Sequence, residues 1–303
     1  MNKKFFAAEG AFDEINSSNG KINIGIGTGS TTTIFINEFL SNLKHRINNI
    51  FSSSNESTEL LENLQFEVSQ GAPENFLLDY YIDGADEIDK NYYLIKGGGG
   101  AHTKEKILAA ASKKFICIAD DSKEVETLGT FPLPIEVLPF AEHSVRRNLE
   151  NMGKKITKRN FLSDSGNIIL DIHGMLISDP EKMEVELISV PGIVEVGIFA
   201  RNKPTSIKIG RDMYYESIDC WIASTICGSE GFILWEKLFT SPLLVIKNLW
   251  KFQVGLFCVI SNNFSKKGCV FTAFTFVIEK RGNVISKVDL QNSATSSSSV
   301  NSW

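Results

Sequence analysis

Histidine is scarce in this 303-residue chain: His45, His102, His143 and His173 stand far apart, and none has a partner at a metal-binding spacing. The five cysteines point no more clearly to a metal. Cys117, alone in the first 219 residues, lies inside the apolar run FICIA and reads as a small buried hydrophobe. Cys220, Cys227, Cys258 and Cys269 never approach the paired spacing of a zinc site, so neither a metal centre nor a disulfide framework is expected. Basic charge is not in excess either. With 31 Lys/Arg against 36 Asp/Glu and a net charge of −5, the chain has no field that would gather nucleic acid or an anionic membrane, and an anionic ligand must be held at a focused site. The opening MNKKFFAAEGAFDEIN has no apolar core of signal-peptide length and soon meets Glu9, Asp13 and Glu14, which makes the cytoplasm the expected compartment.

The composition is that of a folded protein, with 43% hydrophobic and 22% charged residues, and the length suits about two compact units. A seam falls near residue 220. All four tryptophans and eight of the 21 phenylalanines lie beyond it, and there Lys/Arg outnumber Asp/Glu by eight to four. Within this last part Pro242 to Ile260 is strongly apolar but is broken by Lys247, Asn248, Lys251 and Gln253, so an amphipathic stretch is expected rather than a membrane span. The end, SATSSSSVNSW, cannot bury surface and reads as a disordered serine-rich tail.

Before the seam, helical spacing covers 5–16 and 31–43, and INIGIG (22–27), LLDYYID (77–83) and FICIAD (115–120) read as buried strands. The run AHTKEKILAAASK between the last two is a good helix former. This alternation predicts a Rossmann-like, mostly parallel α/β sheet. From Pro134 the rhythm changes to βαββαβ, a small α+β domain of ferredoxin-like type. Asp179, followed by Pro180 and Glu181, is suited to start the second helix of that unit. The expected division is 1–132 with 206–219, then 133–205, then an atypical hydrophobic extension over 220–303.

Three segments can carry chemistry. Gly25-Ile26-Gly27-Thr28-Gly29-Ser30-Thr31 joins a strand to a helix with small residues and hydroxyls, a phosphate cradle in type. It lacks the Gly-Lys-Ser/Thr ending of a Walker loop and the third glycine of a dinucleotide fingerprint. Asp83-Gly84-Ala85-Asp86-Glu87 falls at a strand's C-terminal end, where open α/β sheets bind ligands, and paired carboxylates there can move protons between hydroxyls; a solvated helix-capping turn is the plainer explanation. Lys96-Gly97-Gly98-Gly99-Gly100 is costly in backbone entropy unless a ligand needs close approach. Glu105, near the next helix start, can face that ligand or simply complement the helix dipole. Ser52, Ser53 and Ser54 can add hydroxyl donors, although a serine-rich loop is the commoner explanation.

Taken together, GIGTGST, FSSSNEST, DGADEI, IKGGGGAHTKEKI, FICIADDSK, FPLPIEVLPFA, ILDIHGM and PGIVEVGIFA resemble type A ribose-5-phosphate isomerase in order and spacing, over about residues 5 to 210. The resemblance implies interconversion of ribose 5-phosphate and ribulose 5-phosphate, in the non-oxidative pentose phosphate pathway. It implies no metal or organic cofactor, a sugar phosphate as the small-molecule partner, no nucleic acid or membrane partner, and a homodimer or dimer of dimers. It carries the general base onto Glu105 and catalytic or substrate-binding roles onto Asp83, Asp86 and Lys96. Substrate binding passes also to Thr28, Gly29, Ser30, Thr31, Gly84, Ala85, Gly97, Gly98, Gly99 and Lys123. Such chemistry suits these types, because a carboxylate can take the C2 proton and return it to C1 of a cis-enediolate while an ammonium and backbone N–H groups stabilise the charge on oxygen.

Three departures from the family stand out. Gly100 replaces an alanine, and the family's N-terminal lysine has no counterpart in register, since Lys3 and Lys4 lie several residues away. After SIKIG (206–210) the closing segment reads as replaced by RDMYYESID and a foreign tail, either an appended module or translated frameshift or read-through sequence. A lost edge would weaken the first domain or the dimer, and on that ground a catalytically impaired sugar-phosphate sensor is the alternative to an active isomerase.

Overall fold

The computed structural model describes residues 2–151 and 154–220, together with the backbone of 254–259, 275–280 and 283–289. The chain divides into two units, Met1–Ala223 and Ser224–Trp303.

In the first unit the elements run α1 (Lys3–Asn16), β1 (Ile22–Ile26), α2 (Ser30–Ile34), a π-helical turn (Phe35–Leu40), α3 (Ser41–Leu43), β2 (Ile47–Ser52), α4 (Asn55–Asn63), β3 (Tyr80–Asp83), β4 (Glu87–Asp89) and β5 (Leu94–Ile95). There follow α5 (His102–Ala110), β6 (Phe115–Asp120), β7 (Glu124–Val125), β8 (Leu133–Val137), α6 (Glu142–Asn151), β9 (Lys155–Leu162) and β10 (Ile168–His173). The unit closes with α7 (Pro180–Ile188), β11 (Ile193–Val196), β12 (Ile198–Phe199), β13 (Ser206–Gly210) and β14 (Tyr215–Asp219).

The main sheet has the order β14-β13-β6-β3-β1-β2. All neighbours are parallel except the β13·β14 pair. One of its faces is filled by α1 and the segment from α2 to α3, with Ile24, Ile26, Phe35 and Leu40 fully buried, each such side chain contributing about 1.5–3 kcal/mol. The helix expected over 31–43 is interrupted by the π turn, which brings Phe35, Ile36, Phe39 and Leu40 all to the buried side. β3 begins at Tyr80 rather than Leu77, because the Asp79 carboxylate, not the ladder, takes the Asn23 N–H (2.8 Å).

The second four-stranded sheet, β11-β8-β10-β9, is antiparallel. With α6 and α7 it completes the βαββαβ unit in the ferredoxin-like strand order. Asp179 caps α7 by accepting the Lys182 N–H (3.1 Å), with Pro180 in the first turn. The run VEVGIFA is divided at Gly197. β11 stays in this sheet, whereas β12 pairs with β5 in a third sheet, β12-β5-β4-β7. Gly197 accepts the Lys96 N–H (2.9 Å) and donates to Pro134 O (2.8 Å), tying the strand before the glycine run to both sheets.

The expectation of a lost edge is overturned. Residues 211–219 turn back on β13 as the antiparallel strand β14, in register from Ser206↔Asp219 to Gly210↔Tyr215. Tyr215 donates its hydroxyl to Asp13 on α1 (2.8 Å), and Lys208 on β13 pairs with Glu14 (2.8 Å). A strand whose side chains reach the first helix is part of this fold, as the placing of 206–219 in the first domain expects.

In the second unit the three described strands, β15 (Val254–Val259), β16 (Thr275–Lys280) and β17 (Asn283–Asp289), pair antiparallel in that order. The serine-rich tail and most of the apolar stretch 242–260 lie outside the described residues. Among the described residues no helix is long and apolar enough to cross a membrane.

Candidate active site

β1 and β3 are neighbours where the strand order reverses, with β2 outside the one and β6 beyond the other. At such a switch point the loops leaving the strands' C-terminal ends diverge and leave a crevice. Gly27–Thr31 leaves β1, Asp83–Asp86 leaves β3, and the two touch. Gly27 donates to Ile82 O (2.8 Å), and a Cβ on Gly27 would collide with the Asp83 carboxyl, so the approach demands glycine.

Asp83 is fully buried and both of its oxygens are engaged. Oδ1 accepts the N–H groups of Thr28 (3.0 Å) and Gly84 (2.7 Å). Oδ2 accepts the Tyr81 hydroxyl (2.6 Å) and pairs with Lys96 Nζ (2.6 Å). No lone pair is left to face a ligand. Lys96, at the end of β5, also donates to Gly84 O (2.7 Å), and its third neighbour is Glu105 Oε2 at 3.1 Å, at ion-pair distance but without hydrogen-bond alignment. Burial works against the ammonium, but Asp83 and Glu105 outweigh it and hold its pKa above the ordinary value.

Glu105 sits in the first turn of α5, buried, with Oε2 lacking a hydrogen bond. Burial and the neighbouring Asp83 charge push its pKa up to about 8, against the pull of Lys96. A carboxylate so placed is basic enough to abstract a proton near neutral pH.

The glycine run lies between Lys96 and the start of α5. Gly97 has φ +101°, open to glycine at no steric cost, and the His102 ring packs beneath it, where a Cβ would come within 2.7 Å of Nδ1. Burial lowers the His102 pKa to about 4, so the ring is neutral. Gly98 N–H donates to Asp86 Oδ2 (2.7 Å), and Asp86 Oδ1 accepts nothing among the described residues. Burial raises the Asp86 pKa, opposed by the Gly98 N–H and by Lys96 and Lys123.

The candidate residues from the sequence therefore gather at one crevice: Asp83, Gly84, Asp86, Lys96 to Gly99, Glu105 and Thr28, with Lys123 near enough to act on Asp86. Gly99 lies against Thr28, whose hydroxyl meets Ser53 Oγ (3.0 Å). Gly29, Ser30 and Thr31 form the turn into α2, whereas Ala85 packs against the core cluster of Tyr81 and Leu94. Three participants were not anticipated. Tyr81, two residues before Asp83 on the same strand, was discoverable from the alternation of a strand. Lys4 reaches Ser30 Oγ (2.7 Å) although Lys3 turns to Asp121 (2.9 Å), and the helical face of α1 is the only sequence signal for it. Arg159 on β9 donates to Gly97 O and Gly98 O (2.9 Å each), a contact without any local signal.

The family model of ribose 5-phosphate isomerase A (phosphoriboisomerase A) matches residues 49–213. A curated ribose-5-phosphate isomerase A of Stenotrophomonas maltophilia is 46% identical over 209 residues, 68% of this chain and 95% of that protein. The chain belongs to the ribose 5-phosphate isomerase A family. Among solved structures of the family, ribose 5 phosphate isomerase A from Neisseria gonorrhoeae superposes with a TM-score of 0.68 at 41% identity, covering 73% of this chain and 97% of that one. A D-ribose-5-phosphate isomerase in complex with phospho-erythronic acid superposes at 0.65 with 32% identity, covering 72% and 100%. Nearly the whole length of these isomerases is thus matched.

Proposed function

We propose that the chain is an aldose-ketose isomerase that interconverts D-ribose 5-phosphate and D-ribulose 5-phosphate through a cis-enediolate. The observation that carries the reading is Glu105: a buried carboxyl whose Oε2 has no hydrogen bond among the described residues and lies 3.1 Å from the Lys96 ammonium, with a pKa pushed up to about 8. Glu105 takes the C2 proton of the open-chain aldose and returns it to C1. The oxygen that becomes negative is stabilised by the Lys96 charge and by N–H groups of the glycine run in a site shielded from water.

The two aspartates divide the remaining work. Asp83, held by Tyr81, Lys96 and two backbone N–H groups, orients Lys96 and raises the basicity of Glu105. Asp86, with an open Oδ1 and a raised pKa, assists ring opening and moves the proton between O2 and O1. Thr28 to Thr31 take the phosphate, Lys4 adds a cation at the mouth of that loop, and Lys123 helps to hold the substrate. Anchoring the phosphate away from the reacting carbons lets its binding energy position them.

The reading includes a homodimer or dimer of dimers as the assembly and the cytoplasm as the compartment. The sensor alternative loses its motive, since the edge strand β14 is in place. The deciding experiment is ribulose 5-phosphate formation by the purified full chain in chelator, beside Glu105→Gln. Turnover that falls about 10²- to 10⁴-fold in the variant is expected; ordinary turnover in the variant removes Glu105 from the mechanism, and an inactive wild type that still binds ribose 5-phosphate restores the sensor.

A further inference from the structure

Glycine has no side chain and little φ/ψ preference, so a run of four has no intrinsic bias toward one orientation of its peptide groups. In this protein one turn bond, from the Gly100 N–H to Gly97 O (2.9 Å), is joined by a clamp from the ferredoxin-like unit. Arg159 Nη1 on β9 donates to both Gly97 O and Gly98 O at 2.9 Å. The rest of the guanidinium is locked by Asp171 on the adjacent β10, Nε to Oδ2 at 2.8 Å and Nη2 to Oδ1 at 2.7 Å. Both side chains are largely buried, 11% and 14% exposed, and the bidentate fork fixes direction as well as distance.

In a trans peptide the carbonyl of one residue and the N–H of the next point opposite ways. With the Gly97 carbonyl drawn to Arg159, the Gly98 N–H must point the other way, and there it meets Asp86 Oδ2 at 2.7 Å. With the Gly98 carbonyl drawn to the same guanidinium, the Gly99 N–H is sent the same way, and no acceptor takes it among the described residues.

We propose that Arg159, clamped by Asp171, is a positioning residue for the isomerase: it orients the Gly97–Gly99 peptides, which holds Asp86 in place and keeps the Gly99 N–H for the oxygen that becomes negative. The catalytic half of this rests on the isomerase reading; the orientation of the loop does not. The test uses the full chain with Arg159→Gln, Arg159→Lys and Asp171→Asn, and reads kcat, KM for ribose 5-phosphate, Tm and hydrogen exchange at the Gly98 amide.

Arg159→Gln is expected to lower kcat about 10- to 100-fold with KM within about threefold, because the reacting end is misplaced while the phosphate loop is untouched. Gly98 exchange should quicken as its bond to Asp86 loosens. Arg159→Lys, with one donor point in place of a fork, should recover part of kcat, and Asp171→Asn should fall between. Wild-type kcat and exchange in Arg159→Gln overturn the proposal. So does a loss of activity that only follows a loss of folded protein and is not recovered by lysine. An inactive wild type would count against the isomerase reading alone, and the Gly98 exchange rates would still decide the loop's orientation.

Discussion

Glu105→Gln should cost activity and raise stability, and the second effect depends on pH in a way the structure specifies. Asp83, Lys96 and Glu105 form a buried cluster in which one ammonium faces two carboxyls at 2.6 and 3.1 Å. When Glu105 is protonated the cluster is neutral; when it ionises, an uncompensated negative charge is buried. Its pKa is accordingly raised from the ordinary 4.5 to about 8. A carboxyl whose folded pKa exceeds its unfolded value binds its proton more tightly in the folded state. Its favourable contribution is therefore complete below about 4.5 and is lost as pH rises through about 8. The whole gap corresponds to a ceiling of about 5 kcal/mol. Glutamine has the shape of the protonated acid and never ionises, and the Asp83–Lys96 pair remains intact beside it. Thermal or urea unfolding of both proteins at pH 5, 7 and 9 should give near-equal stability at pH 5. By pH 9 the variant should be more stable by about 1–5 kcal/mol, opening a Tm gap of at least about 2 °C. A gap that stays constant with pH, or a wild type that is the more stable at pH 9, would refute the buried-charge account. In the wild type kcat/KM should rise through about pH 8 as Glu105 loses its proton.

Other substitutions separate the parts of the site. Tyr81→Phe removes the 2.6 Å hydrogen bond to Asp83 and should lower kcat about 3- to 10-fold with little change in KM, an effect of about 1 kcal/mol; an unchanged kcat would show that the hydroxyl is dispensable. Lys4→Met should raise KM for ribose 5-phosphate about 5- to 10-fold and weaken its dependence on salt, leaving kcat near wild type; steady-state kinetics at two ionic strengths would check it. Lys106→Met strands Glu184 and Glu195, which pair with its buried ammonium at 2.7 and 2.8 Å, and should destabilise by about 3–5 kcal/mol in urea unfolding, with partial recovery on adding Glu184→Gln.

Much of the fold and site was legible along the chain because the relevant chemistry is local. Glycines and hydroxyls after β1, acids after β3, and a glycine run before α5 each mark a candidate ligand loop, and the structure brings all three to one crevice. The ferredoxin-like unit was legible from its rhythm, and the cap at Asp179 from residue type. Reading failed where a departure from the family's motif was taken for a lost element. Residues 211–219 replace the family's closing segment with a different sequence, yet backbone pairing with β13 and a tyrosine reaching Asp13 make them the edge of the sheet. It failed again at Gly197, where one apolar run serves two sheets, a division that no periodicity encodes.

Residue order was enough to settle the parallel sheet and the loops at its strand ends, since φ preferences and strand alternation act over a few residues, while Glu105, Asp83, Asp86 and Lys96 became the groups of interest only through the resemblance of whole motifs to a family. Folding assigned the roles. Asp83 is engaged by Tyr81, Lys96 and two amides while Asp86 Oδ1 accepts nothing among the described residues, Lys4 rather than Lys3 reaches Ser30 Oγ, and Arg159 reaches the Gly97 and Gly98 carbonyls from another sheet. Those outcomes depend on which side chains meet across sheets, and on how burial and neighbouring charge reset a carboxyl's affinity for its proton, quantities that exist only once distant segments share one interior.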